Sequence, residues 1–236
     1  MEYPLLLSSI LLGAIAVFLF KLDRPGHVKI LNAFTGAYLL CLTLLHLLPE
    51  VYHGVGGHLE TMIGVIMLAG FFTQVGLDVI SMGVEHGHSH LHPGKMPWGI
   101  LAGLCLHALV EAIALGRADT HFDPASRRLL LWSIVVHNFP VSIALLGMLL
   151  QSGMARKTAI GLLGWFAAMA PLGLFLSAHT ALAYHTRELM AFVIGIFMHI
   201  STTILFESSD LHRFNLAKLA AIGIGTGLGV LSLMVH

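Results

Sequence analysis

The chain has 236 residues, 57% of them hydrophobic and only 10% charged, with a mean hydropathy of +0.87. Water-soluble domains carry about 25% charge, so this composition excludes an ordinary soluble globule and points to a chain that crosses a membrane repeatedly. Lys plus Arg equals Asp plus Glu at 12 each, which leaves no basic field for nucleic acid.

Apolar runs between charges define eight predicted helices, at 4–20, 28–48, 61–82, 97–116, 129–151, 158–178, 189–206 and 216–235. Each holds about 17–23 residues, enough to cross ~30 Å of hydrocarbon. The first run follows Glu2 rather than a basic segment and has no small-residue cleavage pattern after it, so it reads as a membrane helix and not a signal peptide. The linkers "KLDRPGH", "EVYHGVGGHLE", "EHGHSHLHPGK", "RADTHFDPASRR", "GMARK", "HTRE" and "ESSDLHRFN" collect the Pro, Gly and charge that punctuate helices. Residues 1–236 therefore read as one transmembrane domain, with a His-rich loop at 83–96 and no room for a separate soluble domain. Cys41 and Cys105 lie inside apolar runs and imply no disulfide framework.

Basic residues in the loops set the orientation. With the N-terminus outside, the cytosolic side holds eight Lys and Arg and the outside holds four, which predicts both termini outside and the His-rich loop in the cytosol.

Only two acids, Asp78 and Glu111, fall within the spans. A central carboxylate costs about 2.5–3.5 kcal/mol even on the permissive insertion scale, so packing alone does not explain it. The intramembrane polar set is Asp78, Glu111, His107, His137, Asn138, His46 and His199. His107 and Glu111 are spaced i, i+4 and share one helix face. His137 lies on the next, antiparallel helix. Glu111 and His137 each stand 14 residues from the cytosolic end of their spans, and His107 stands one turn below. One carboxylate and two imidazoles at one depth suit a transition metal. Pro140 lacks an N–H, so the predicted kink frees the carbonyl of Val136 beside His137. Asp78 lies roughly 15 Å below Glu111 at ~1.5 Å per residue, which fits an exit step. The predicted pathway runs from His46 through Glu111 and His137, His107, His199, Asp78 and Glu207 to the loop histidines His86, His88, His90 and His92. Short His tracts bind metal weakly. Taken singly, His46 and His199 read more readily as interhelical hydrogen-bonding residues.

These stretches resemble the ZIP (Zrt/Irt-like protein) family of divalent-metal transporters. "LLHLLPE" is similar to the ending of that family's second helix, and "GFFTQVGLD" with "EHGHSHLHPG" to its third helix and His-rich loop. "HALVEAIALG" and "HNFPVSIALLGMLLQSG" are similar to its paired metal-binding motifs, and "GIFMHISTTILFESSD" to its seventh helix. The resemblance implies an all-α fold of eight helices, two inverted three-helix repeats around the fourth and fifth (3+2+3). It also implies primary-site ligands at His107, Glu111 and His137 and a secondary-site ligand at Asn138. Ala108 stands where the family has Asn or Ser, and Val141 where it has Glu. A second divalent ion would then face one carboxylate, so the expected site is mononuclear. The resemblance thus implies a bacterial member with a reduced metal site.

The expected function is transport of Zn²⁺ into the cytosol, with Fe²⁺, Mn²⁺, Co²⁺ and Cd²⁺ as other divalent candidates. The expected setting is multi-pass, in a bacterial inner membrane. The expected partners are the metal ion and the lipid bilayer, with a homodimer allowed. The ion is cargo and the chain is not an enzyme in this reading. Two alternatives stay open: a non-transporting metal-binding sensor, favoured by Val141, and an integral-membrane metal hydrolase, which would need a base besides Glu111.

Overall fold

A computed structural model describes residues 2–21, 23–81, 98–116, 124–207 and 216–232. Regular structure among them is wholly helical: α1 (Glu2–Phe20), α2 (Pro25–Leu42), α3 (Leu48–Tyr52), α4 (His58–Ser81), α5 (Trp98–Ala114), α6 (Pro124–Gln151), α7 (Arg156–His179), α8 (Thr186–Glu207) and α9 (Leu216–Leu231), with a short 3-10 turn at Ala181–Tyr184. A π turn, Thr43–Leu47, joins α2 to α3 into one span, so the described segments correspond to eight membrane helices. Six are long and apolar enough to cross a bilayer; Ile100–Ala114 and Leu216–Leu231 are apolar but shorter over the described residues. The chain is an all-α polytopic membrane protein.

Burial ranks the helices. In α6, 78% of the apolar span is buried, against 22% in α4 and 33% in α1. α6 is the centre, and α1 and α4 turn large side chains such as Leu11, Leu19 and Phe72 outward, as lipid-facing helices do. Nothing is gained by hiding such residues when the surrounding solvent is itself apolar.

The most extensive packings are α2 with α9, α4 with α8, α5 with α7 and α1 with α6. Exchanging α1 with α7, α2 with α8, α4 with α9 and α5 with α6 maps the first of these pairs onto the second and the third onto the fourth. The weaker α2–α6 and α5–α8 contacts map onto each other as well. This is the packing an inverted repeat produces. Two sets of four result: α1, α5, α6 and α7 in one, and α2, α4, α8 and α9 in the other. They meet chiefly along α4–α5 and α2–α6. Glycine makes the close pairs possible. A methyl built on Gly70 of α4 would overlap the Phe192 carbonyl of α8, and one on Gly195 of α8 would overlap the Met67 carbonyl of α4. Small residues let backbones approach this closely, where dispersion replaces the hydrophobic effect.

Two local features hold the site's helices. Arg127, near the start of α6, donates to the carbonyls of Leu115 (2.7 Å) and Gly116 (2.9 and 3.1 Å) at the end of α5, and forms an ion pair with Glu2 of α1. It thereby satisfies carbonyls that a helix end leaves unpaired. Its charge, counted with the outside loops in the sequence reading, has a structural use. The second feature concerns Pro140. α6 continues on both sides of Pro140, which has no N–H to give the carbonyl of Val136.

Candidate metal centre

α5 contributes His107 and Glu111, and α6 contributes His137. The i, i+4 spacing stacks the first two on one face of α5, and that face turns toward α6. Their exposures are 0%, 0% and 1%, so the group is sealed in the bundle. Ligand atoms of the three lie within 4.8 Å of one another. His107 Nε2 is 3.2 Å from His137 Nε2 and 3.0 Å from Glu111 Oε1, and the two rings meet edge to face with centroids 5.4 Å apart. Three atoms that can each present a lone pair thus converge on one point.

Glu111 is the residue that makes this arrangement chemically pointed. Its approach to His107 is close but not aligned for a hydrogen bond, and neither carboxylate oxygen accepts one. A buried carboxylate ordinarily gathers donors, because burying an unsatisfied charge costs several kcal/mol. A divalent cation seated among the three atoms would supply the missing charge and coordination. Asn138, the next residue on α6, is also fully buried, and neither atom of its amide is hydrogen-bonded among the described residues.

The surroundings are apolar. Leu104, Cys105 and Ala108 of α5 pack with Val141, Leu145 and Leu146 of α6 in one cluster. Ala112, Leu115, Leu130 and Ile134 belong to a second cluster beyond the trio. Val141, 4% exposed, is spent on that packing.

One residue that the sequence reading passed over completes the setting. Gln74 of α4 is fully buried, and its Oε1 lies 3.0 Å from His107 Nδ1. Its Nε2 donates to Asp78 Oδ1 at 3.2 Å. Asp78 Oδ2 in turn lies 2.5 Å from His199 Nε2, and Phe71 stands edge-on to the His199 ring at 5.0 Å. Asp78 and His199 are therefore paired with each other and joined to the trio through one side chain. An uncharged amide in an apolar helix, four residues before the only acid of the predicted span 61–82, was the available signal. It has no charge to draw the eye.

The other predicted residues sit elsewhere. His46 lies in the π turn, with Nε2 3.0 Å from Ser232 Oγ, and lines a cavity of about 250 Å³ with Pro49, Glu50, His53, Ser126 and Leu129. Glu207 is the last residue of α8, and its side chain is outside the described residues. So are His86, His88, His90 and His92, with the rest of 82–97.

Comparison with known proteins fits this geometry. The chain is 28% identical to the zinc transporter ZIP9 of Xenopus tropicalis over 163 residues, which is 61% of this chain and 52% of that one. It is 28% identical to the zinc transporter ZIP9 of Micropogonias undulatus over 177 residues, covering 65% and 55%. The chain spans about half the length of these curated relatives. The family model described as ZIP zinc transporter matches residues 85–234, well over half of the chain, and takes in both motif helices. On that match, the chain belongs to the ZIP zinc transporter family.

Proposed function

We propose that this protein moves a divalent transition-metal ion, Zn²⁺ foremost, across the membrane and into the cytosol through a mid-membrane site of His107, Glu111 and His137. The observation that carries the reading is the convergence of the three ligand atoms on a sealed point where a carboxylate has no hydrogen bond. The zinc transport named for the ZIP9 relatives supports the choice of ion and of transport over catalysis. Two neutral imidazoles and one carboxylate bind strongly enough to replace hydration and weakly enough to release. Fe²⁺, Mn²⁺, Co²⁺ and Cd²⁺ can be accommodated by the same donor set.

The site holds one ion in this reading. Val141 offers no donor, and Glu111 is the one acid that the cluster contains. Asn138 completes the shell or orients a bound water. His46, with the cavity that it shares with Glu50 and His53, is the proposed access step. Asp78 and His199 are the proposed exit, followed by Glu207 and the loop histidines. Both termini are placed outside and the host is a cell membrane.

Purified protein in zinc-free liposomes loaded with an indicator tests the proposal. Zinc-dependent signal that disappears in Glu111→Ala is the expected result. Equal flux in that variant would refute the site. Saturable zinc binding with no flux in the wild type would select a sensor instead.

A further inference from the structure

Gln74 sits where its two ends are forced into opposite roles. A carboxylate only accepts hydrogen bonds, so the group facing Asp78 Oδ1 at 3.2 Å must be the amide NH₂. The carbonyl end then faces His107 Nδ1 at 3.0 Å, and a carbonyl also only accepts. His107 must therefore carry its proton on Nδ1. The neutral ring is left with a bare Nε2, and that atom is the one 3.0 Å from Glu111 Oε1 and 3.2 Å from His137 Nε2. With the opposite tautomer, an N–H would point into the site and oppose a cation.

We propose that Gln74 is the positioning residue of the metal site. Anchored by Asp78, its carboxamide fixes His107 in the Nδ1–H tautomer and so presents Nε2 to the ion. This rests on the reading of His107, Glu111 and His137 as the zinc ligands. Gln74 touches no ion itself. It acts through His107, as the outer partners of metal-bound imidazoles do, and loss of such partners typically weakens metal binding about 10–100-fold. The direction of the whole chain is set from Asp78, which also accepts from His199 at 2.5 Å. The amide is fully buried, so bulk water does not compete with it at His107.

The test uses the full chain in detergent micelles or nanodiscs, with Zn²⁺ as the probe and two readouts. One is zinc affinity by competition with a chelating indicator. The other is ¹⁵N NMR of ring-labelled histidine in metal-free protein, with the His107 signals assigned by their loss in His107→Asn. Wild type should show the Nδ1–H pattern. Gln74→Leu, which keeps the volume, should weaken zinc binding about 10–100-fold and mix the two tautomers. The pair Gln74→Glu with Asp78→Asn exchanges amide and carboxylate: the new carboxylate still accepts from Nδ1–H, and the new amide donates to it while accepting from His199. That double variant should restore both the Nδ1–H pattern and wild-type affinity or better. It also serves as the test where Gln74→Leu does not fold. Wild-type affinity with an unchanged tautomer in Gln74→Leu overturns the proposal, as does a double variant that restores neither. Glu111→Gln, measured in parallel, separates the two levels. If it abolishes binding while Gln74→Leu leaves binding intact, the positioning role fails and the site stands. If it binds as wild type does, the site itself fails and the proposal with it.

Discussion

Asp78 with His199 and Glu111 with His107 and His137 are two acid–imidazole groups of the membrane helices, and they are treated oppositely. Asp78 accepts from Gln74 and from His199, is 14% exposed, and has both oxygens occupied. Glu111 is fully buried beside two imidazoles, and both its oxygens are without hydrogen bonds. The same residue types make a closed pair in one place and an open claw in the other. Satisfaction, more than composition, separates the hydrogen-bonded pair from the carboxylate left without donors.

The strongest way to break this contrast is to remove the charge on Glu111 alone. Glu111→Gln keeps the shape and should lower zinc affinity about 100-fold or more, the order expected when a buried charge loses its partner. Flux into indicator-loaded liposomes should fall to background. Next, Val141→Glu adds an acid where the apolar cluster now packs. Without metal this variant should lose roughly 3–5 kcal/mol of stability, read by thermal unfolding. Equilibrium dialysis should show two zinc ions per chain instead of one. His199→Gln disturbs the closed pair and not the claw. It should slow flux while moving zinc affinity by no more than about tenfold, the lower edge of outer-partner effects. The smallest effect belongs to His46→Ala. His46 bonds Ser232 and lies outside the cluster of the trio, so zinc affinity should stay within about twofold, as independent sites do. A larger change would place His46 in the binding site and erase the distinction between the two ends of the path.

Much of this was legible in the sequence, and the reasons are physical. Charge is so costly in hydrocarbon that the gaps between charges mark the helices, and an i, i+4 pair cannot avoid sharing a face. Depth counting along antiparallel helices placed Glu111 level with His137, and the structure brings their ligand atoms within 4.8 Å of each other. Helix rotation is another matter. Depth alone put Asp78 far from the trio; it does not reveal that Gln74 bridges the distance with one side chain. The π turn at Thr43–Leu47 also left no periodic trace, since five residues change the apolar pattern too little to see. Pro140 was legible as the point where α6 loses one N–H, whereas the bend that this produces depends on packing that no sequence pattern shows.

The division of the helices into two sets of four bears on how cargo could be released. His107, Glu111 and His137 all ride on the set that contains α5 and α6, whereas Gln74, Asp78 and His199 ride on the set that contains α4 and α8. A slide of one set along the other would carry an occupied claw bodily, with its coordination unopened. Besides the packing along α4–α5 and α2–α6, the slide would sever the His107–Gln74 hydrogen bond, a link worth about 1 kcal/mol net. Such a link acts as a detent: firm enough to register the docked position, and weak enough for thermal motion to undo.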